Sequence, residues 1–144
     1  MNSLDTHILV YAFNSSCTEH VRARTVLESL VAHPDDWIVA DQVLIEFYRA
    51  IRNPSILAHP LSAADAYLRV AFVEQSGCAR CGWDHDLWKL LRVDMAQKSF
   101  PSRRVFDRAL AHTLRAQGVD RFYTRNVRDF ADAGFAEVLN PIDR

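Results

Sequence analysis

Carboxylates occur near both ends of this chain in places where a structured turn is expected. Asp5 lies shortly before the apolar run 8–12. Asp107 heads an alanine-rich segment, and Asp129 directly precedes an aromatic residue. A carboxylate among apolar neighbours is unfavourable unless it is paired or bound to a cation. Several such groups meeting in space would offer the oxygen ligands that Mg²⁺ and Mn²⁺ prefer.

The elements that must position these acids are short strands alternating with helices. Apolar spacing predicts strands at 2–5, 37–39, 121–124 and 137–139. It predicts helices at 6–13, 19–32, 41–52, 63–74 and 84–98, and from 101 or 102 to 118. Such alternation favours an α/β fold with a mainly parallel sheet. We expect residues 1–144 to form one domain, long enough to bury a core.

Caps and turns bound the predicted helices. Asp41 can cap the helix that follows it, and Ser62 with Asp65 resembles a capping box. Gly118 ends the last helix, and residues 76–82 are predicted to form a loop. The last two long helices are predicted to turn these residues inward: Leu87, Leu90, Leu91 and Met95 in the first, and Phe106, Ala109, Leu110, Thr113 and Leu114 in the second.

Sheet topology predicts that acids from distant parts of the chain meet. Ligands of open parallel sheets bind outside the carboxyl ends of the strands. Asp5 ends the first predicted strand, and the segment from Thr124 to Asp129 follows another. Both acids are therefore expected on the same rim of the sheet.

Each acid also has a purely structural explanation. Asp5 can cap the helix that begins after it, and Asp129 can form a turn. Glu46 points away from the apolar stripe of its helix, as a solvated surface residue would. Asp107 lies near a helix start, where a negative charge favours the helix dipole. From the residues alone, both explanations stay open.

The ordered set of motifs resembles the PIN-domain nucleases, and more closely the VapC-type ribonuclease toxins of bacterial toxin–antitoxin pairs. The family opens with apolar-Asp-Thr-Asn-apolar, which residues 4–8 match with His7 in place of Asn. Its helical Glu about forty residues later is matched by Glu46, and its late Asp by Asp107. Residues 124–130 resemble its last motif, with Asn126 at the first acidic place and one extra residue before Asp129.

The resemblance implies a PIN-like three-layer α/β fold, with a central, mainly parallel sheet flanked by helices. It implies a metal-dependent endoribonuclease that uses Mg²⁺ or Mn²⁺, binds a cognate antitoxin protein and forms a homodimer. The implied catalytic and metal-binding residues are Asp5, Glu46, Asp107 and Asp129, supported by Thr6, Thr124 and Asn126. Two residues could supply the fourth ligand: Asp129 as an acid, or Asn126 as a neutral oxygen ligand. Asp129 is favoured.

Two other functions compete with this one. A PIN-like module that binds RNA or protein without cleaving it is favoured if Asn126 marks a damaged site. An α/β phosphohydrolase with Asp5 as a covalent nucleophile usually has a second Asp two residues on, where this chain has His7. That difference argues against the phosphohydrolase.

Several residues near these motifs have weaker interpretations. Cys78 and Cys81 with His85 show part of a zinc-site spacing, but plain loop thiols are favoured. A cluster of arginines near the acids in sequence could contact phosphates or could be ordinary surface charge: Arg103, Arg104, Arg108, Arg125 and Arg128.

Bulk properties limit the possible classes. The chain has 17 basic and 18 acidic residues and a formal net charge of −1, so it lacks a global basic signal. No apolar run approaches the length of a membrane span, and no signal peptide is evident. The odd number of cysteines, 3, fits a reducing compartment. We therefore expect a cytoplasmic protein without membrane association.

Overall fold

The computed structural model describes residues 1–143 and confirms the predicted α/β class. The strands are β1 (Asn2–Leu4), β2 (Ile38–Ala40), β3 (Ala79–Cys81), β4 (Arg121–Tyr123) and β5 (Glu137–Leu139). The helices are α1 (Thr6–Phe13), α2 (His20–Val31), α3 (Asp41–Ile51), α4 (Ala63–Gln75), α5 (Trp88–Met95), α6 (Val105–Ala116) and α7 (Val127–Phe130). Short 3₁₀ turns cover Pro34–Asp36, His85–Leu87 and Ser102–Arg104.

All strand pairs are parallel. One sheet has the order β1-β4-β5, the other pairs β2 with β3, and a parallel bridge between Asn2 and Trp37 joins them. Leu4 is in register with Tyr123, so β1 and β4 end at the same level. The segments that follow these two strands therefore leave the sheet side by side, as the topological argument predicted.

The helices pack in two groups. Helix α1 packs on α2 and α3, and α3 packs on α4. Helix α5 packs on α6, which also contacts α7. Strand β2 touches α3 and α6, one helix from each group. Among residues 1–143, each helix is too short or too polar to cross a lipid bilayer.

Large aromatic residues fix the end of the chain that carries Asp129. The Phe122 ring of β4 lies 4.7 Å from the Phe130 ring of α7 and 5.0 Å from the Phe135 ring. Phe122 and Phe130 are fully buried. Because Phe130 is anchored in this way, its neighbour Asp129 is held against the sheet.

Two predicted helix boundaries are confirmed in atomic detail. The Ser62 hydroxyl accepts a hydrogen bond from the Asp65 backbone amide at 3.1 Å, which is the N-cap half of a capping box. Gly118 follows α6 with φ of 78°, and the Val119 amide donates to the Leu114 carbonyl at 3.2 Å. This is a Schellman ending, which favours glycine at the left-handed position.

Other local predictions are wrong. The predicted loop 76–82 contains β3, whose residues Ala79 and Arg80 are exposed and show no apolar alternation. Ala40, not Asp41, occupies the cap position of α3, and the Asp41 carboxylate binds Arg80 at 2.6 Å instead. Helix α7 is too short to leave a periodic signal.

The predicted inward faces of two helices are also partly wrong. Leu90 is 48% exposed, Met95 38% and Phe106 68%. In α5 the buried positions are Leu91 and a charged residue, Asp94. Asp94 is buried on the face that apolar periodicity assigned to hydrophobic residues, because Arg108 and His112 of the neighbouring helix α6 pair with its carboxylate.

Candidate active site

Asp5 lies at the junction of β1 and α1 and is buried. Its Oδ1 accepts a hydrogen bond from the Thr6 amide at 2.7 Å, which makes it the cap of α1. Its Oδ2 accepts from the Thr124 hydroxyl at 2.7 Å. Burial raises the pKa of Asp5, although the hydrogen bond from Thr124 acts in the opposite direction. The capping role and the place in the acidic cluster therefore coexist in one residue.

Glu46 is oriented by donors to both of its oxygens. The Thr6 hydroxyl donates to Oε2 at 2.9 Å, and the Gln42 amide donates to Oε1 at 3.1 Å. The same Gln42 nitrogen lies 3.1 Å from the Phe106 carbonyl and so joins α3 to the start of α6. The sequence analysis missed Gln42, whose one signal is its spacing of four residues from Glu46 on the same helix.

Asp107 lies in the first turn of α6 and is half-buried. No side chain or amide of residues 1–143 donates a hydrogen bond to its carboxylate. Its pKa is raised to about 6, first by burial and then by the charges of Asp5, Asp129 and Glu46. The four predicted acids thus come from four different elements and act on one another electrostatically.

Asp129 differs from the other acids because it has cationic partners. It is buried, and Arg103 donates to its Oδ2 at 3.0 Å. Arg104 lies 3.8 Å from its Oδ1 and donates to its backbone carbonyl at 2.7 Å. The side chain of Arg103 is 70% exposed, whereas that of Arg104 is 17% exposed. The two arginines thus hold Asp129 from the solvent side and from within the protein.

The residues expected to support the acids have different roles. Thr124 is buried and its hydroxyl also accepts from the Asn126 amide at 3.0 Å, so it links Asp5 to the turn before α7. Asn126 is exposed, and its side chain makes no hydrogen bond with residues 1–143. Asn126 therefore contacts Thr124 through its backbone N–H alone.

The donor set fits a hard divalent cation. Carboxylate oxygens are the ligands that Mg²⁺ and Mn²⁺ prefer. Asp107 carries a carboxylate without a donor, and a nearby cation would relieve the repulsion that raises its pKa. Within residues 1–143 no three His, Cys, Asp or Glu side chains stand close enough to enclose a metal ion. In this structure the four acids influence one another electrostatically without forming a compact ligand cage.

Most of the arginines expected near phosphates are already paired. Arg108 binds Asp94 at 3.0 Å, and Arg125 binds Asp143 at 3.0 Å and Glu19 at 3.0 Å. Arg128 is exposed and has no ion pair with residues 1–143.

Cys78 and Cys81 are free thiols, and burial raises the pKa of both, that of Cys81 to about 11. A thiol with a raised pKa is a poor nucleophile at neutral pH. Within the described part of the chain, His85 joins no metal-binding group with them.

The chain is similar along its whole length to a curated protein. It is 37% identical to Ribonuclease VapC24 of Mycobacterium tuberculosis over 150 residues, which cover 99% of this chain and 97% of the relative. VapC ribonuclease Mb2897 of Mycobacterium bovis is 33% identical over 70 residues, covering 49% of this chain and 48% of that protein. No protein-family model matches the chain.

Solved structures share the fold. The crystal structure of Mycobacterium tuberculosis VapC20, described as a sarcin–ricin loop cleaving toxin, has a TM-score of 0.69 at 17% identity and covers 94% of this chain and 96% of that chain. FitAcB from Neisseria gonorrhoeae has a TM-score of 0.65 at 18% identity, with 100% of both chains covered. FitAB bound to a DNA fragment has a TM-score of 0.67 at 17% identity and covers 100% of this chain and 97% of that chain. These likenesses confirm the predicted three-layer architecture.

Proposed function

The chain belongs to the VapC-type ribonucleases of the PIN-domain family, and on that premise we propose that it is a metal-dependent endoribonuclease. In this proposal it hydrolyses RNA phosphodiester bonds as the toxin of a type II toxin–antitoxin pair. The observation that supports it is the half-buried carboxylate of Asp107, which lacks a donor among residues 1–143 and whose pKa three further acids raise. An unpaired carboxylate within electrostatic reach of three further acids suits a cation site.

In the proposed mechanism, the residues of this chain hold and orient the ligands. Asp5, Glu46, Asp107 and Asp129 would hold Mg²⁺ or Mn²⁺, with Asp129 as the fourth acid in preference to the exposed Asn126. When bound, such a cation supplies positive charge that acidifies the attacking water and offsets charge on the phosphate oxygens.

The hydrogen bonds at the site fix these carboxylates before substrate arrives. Thr6 orients Asp5 through its amide and Glu46 through its hydroxyl. Thr124 fixes the second oxygen of Asp5, and Gln42 that of Glu46. Oxygens held in this way need little reorganisation on binding, which is the main contribution a protein makes to metal-assisted phosphoryl chemistry.

The proposed partners are an RNA substrate, a cognate antitoxin and a second copy of the chain, all in the cytoplasm. Exposed apolar side chains on α4 and α5 suit protein partners: Tyr67, Leu68 and Phe72 on α4, and Leu90 and Val93 on α5. A cavity of about 550 Å³ beside Phe72 lies between α2 and α4 and is a candidate antitoxin surface.

An RNA-cleavage assay with Mg²⁺, with Mn²⁺ and with EDTA tests the enzymatic function. We expect cleavage that stops with EDTA and in Asp5→Asn and Asp107→Asn, but continues in Asp65→Asn, a change at an exposed acid of α4. Cleavage that persists in both site variants would contradict the proposal. Growth arrest on expression, relieved by the product of the adjacent gene, tests the toxin role.

A binding module without cleavage is the second candidate. It is favoured by the ion pair between Arg103 and Asp129, which already neutralises one of the four acids, and by Asn126 in place of an acid. RNA binding without cleavage in Mn²⁺, for protein that is folded and free of antitoxin, would identify this function.

A further inference from the structure

A groove opens at Glu46, one of the four acids of the candidate site. Its volume is about 700 Å³, and Thr6 and Glu46 form part of its wall. This volume is within the usual range of ligand sites, about 300–1,000 Å³. We call it the aromatic groove and define it by the following residues: His7, Ile45, Arg49, Ile56, Trp83 and Phe106.

The two large rings of the aromatic groove are exposed on well-fixed backbone. Trp83 is 46% exposed and follows β3, whose carboxyl end lies on the same rim as that of β2. A Cβ on the preceding Gly82 would lie 3.0 Å from Asp41 Oδ2, so the backbone before Trp83 runs close to the start of α3. Phe106 is 68% exposed, and its carbonyl accepts from Gln42. Solvent-facing rings at such positions call for a ligand.

Arg49 supplies a free cation in the same groove. It is exposed and lies three residues after Glu46 on α3. It forms no ion pair with residues 1–143, whereas Arg103 and Arg104 both bind Asp129. A free guanidinium next to an acidic cluster is available for an anionic group such as a phosphate.

We propose that the aromatic groove binds single-stranded RNA next to the cleaved bond, with bases stacked on Trp83 and Phe106 and a phosphate at Arg49. The inference rests on the proposed ribonuclease function and specifies how the substrate is held. Single strands are bound by flat rings that stack on bases and by cations that meet phosphates. Thr6 and Glu46 belong both to the groove wall and to the candidate site. If a phosphate binds at the candidate site, the nucleotides next to it would therefore lie over these rings.

The chain offers a matched control for stacking. Trp88 is 45% exposed, close to the 46% of Trp83, but it is not part of the aromatic groove. The probe is a fluorescein-labelled single-stranded RNA of mixed sequence, about 12 nucleotides long. Binding is measured by anisotropy in an Asp107→Asn background, so that cleavage does not consume the probe. We expect Trp83→Ala and Phe106→Ala each to weaken binding on the order of tenfold, and Trp88→Ala to leave it unchanged.

A second probe and a second readout separate stacking from charge and from misfolding. An abasic ribose–phosphate strand of the same length should bind more weakly, and Trp83→Ala should not weaken it further. Trp37 is buried, so in a Trp88→Phe background the exposed tryptophan is Trp83. RNA should quench its emission, whereas the abasic strand should not.

The outcomes distinguish this inference from the proposed function. Quenching and a Trp83 effect on binding, without cleavage by the wild-type protein, would support the groove and contradict the ribonuclease. Cleavage with equal RNA binding by Trp83→Ala, Phe106→Ala and Trp88→Ala would overturn the groove and leave the ribonuclease intact. If the groove variants change the mass in solution or antitoxin binding and RNA binding stays constant, the occupant is a protein and the inference is wrong.

Discussion

Asp94 and Asp107 lie on adjoining helices, yet the fold treats them in opposite ways. Asp94 on α5 receives hydrogen bonds from Arg108 at 3.0 and 3.2 Å and lies 2.6 Å from His112. Burial alone would raise its pKa, but the bonds from Arg108 and His112 outweigh burial and lower it. Asp107 has no such partner within residues 1–143, and its pKa is raised to about 6. Burial alone therefore does not distinguish the two acids, whereas the absence of a cationic partner within residues 1–143 sets Asp107 apart from Asp94.

The position of Arg108 makes the contrast sharper. It directly follows Asp107 in sequence, but its guanidinium faces Asp94 and Asp132. Asp132 also binds Arg104, which reaches Asp129. A chain of ion pairs thus runs from α5 to the edge of the candidate site and stops before Asp107. The fold supplies cations to Asp94, Asp129 and Asp132, whereas Asp107 has no ion pair within residues 1–143.

The largest effect expected from this comparison is on catalysis. Asp107→Asn removes a carboxylate that has no structural partner, so it should leave the protein folded and reduce RNA cleavage on the order of a thousandfold. That loss is greater than the about 10–100-fold typical of residues that only support a metal ligand. Initial cleavage rates at saturating Mn²⁺ measure it. A variant with near wild-type cleavage would remove Asp107 from the site.

The next effect is on stability and concerns the paired acid. Asp94→Asn leaves Arg108 and His112 without their carboxylate, which we expect to reduce the free energy of unfolding by about 3 kcal/mol. Urea titration measures it. Asp86→Asn is the control, since its ion pair with Lys89 is 80% exposed on the Asp86 side and should contribute little. If Asp94→Asn has the free energy of unfolding of the wild-type protein, Asp94 has no structural role that distinguishes it from Asp107.

The pH dependence of stability should separate the two acids as well. The pKa of Asp107 is near 3.8 in the unfolded chain and about 6 in the folded one, so the folded state binds more protons in that window. Stability relative to Asp107→Asn should therefore fall as the pH rises through the window, by about 1–2 kcal/mol after allowance for solvent screening of a half-buried group. Thermal melting of both proteins without metal at pH 4.5 and 7.5 measures this difference. If the stabilities of the two proteins change equally between these pH values, the prediction is wrong.

Millimolar Mg²⁺ or Mn²⁺ should recover part of this stability at pH 7.5. A ligand present at ten times its dissociation constant stabilises a protein by about 1.4 kcal/mol. We expect the added metal to raise the melting temperature of the wild-type protein accordingly and to change that of Asp107→Asn little. No rise in the wild-type protein would count against a shared cation site.

The smallest effect concerns the amide that orients Glu46. Gln42→Leu keeps a similar volume but loses the bonds to Glu46 and to the Phe106 carbonyl. Cleavage should fall about tenfold, whereas Gln75→Leu at the exposed end of α4 should have no effect on it. Wild-type cleavage by Gln42→Leu would show that Thr6 alone positions Glu46.

The sequence predicted the parts of the fold that depend on local patterns. The helix after Asp5 follows from an apolar run, and the parallel topology predicts Asp5 and the segment from Thr124 to Asp129 on one rim, where Thr124 donates to Asp5. The family motifs added Glu46 and Asp107. Their hydrogen-bond partners were harder to foresee, because the Gln42 contact with Phe106 joins residues 64 positions apart.

Features that depend on neighbouring elements could not be predicted in this way. Strand β3 exists because β2 offers it an edge, since neither exposed Ala79 nor Arg80 shows a strand pattern. Asp94 is buried because α6 supplies Arg108 and His112. Phe106 is apolar but exposed, because its helix turns Leu110 and Leu114 to the core instead.

The parallel pairing of β1 with β4 also sets the order of events on the ribosome. Asp5 is synthesised first, but Thr124, which fixes its second oxygen, comes 119 residues later. At about 5–20 residues per second this delay is on the order of ten seconds. Throughout it the growing polypeptide carries separate acids and no assembled nuclease. The acids of the proposed site can therefore come together only after β4 and α7 have been synthesised.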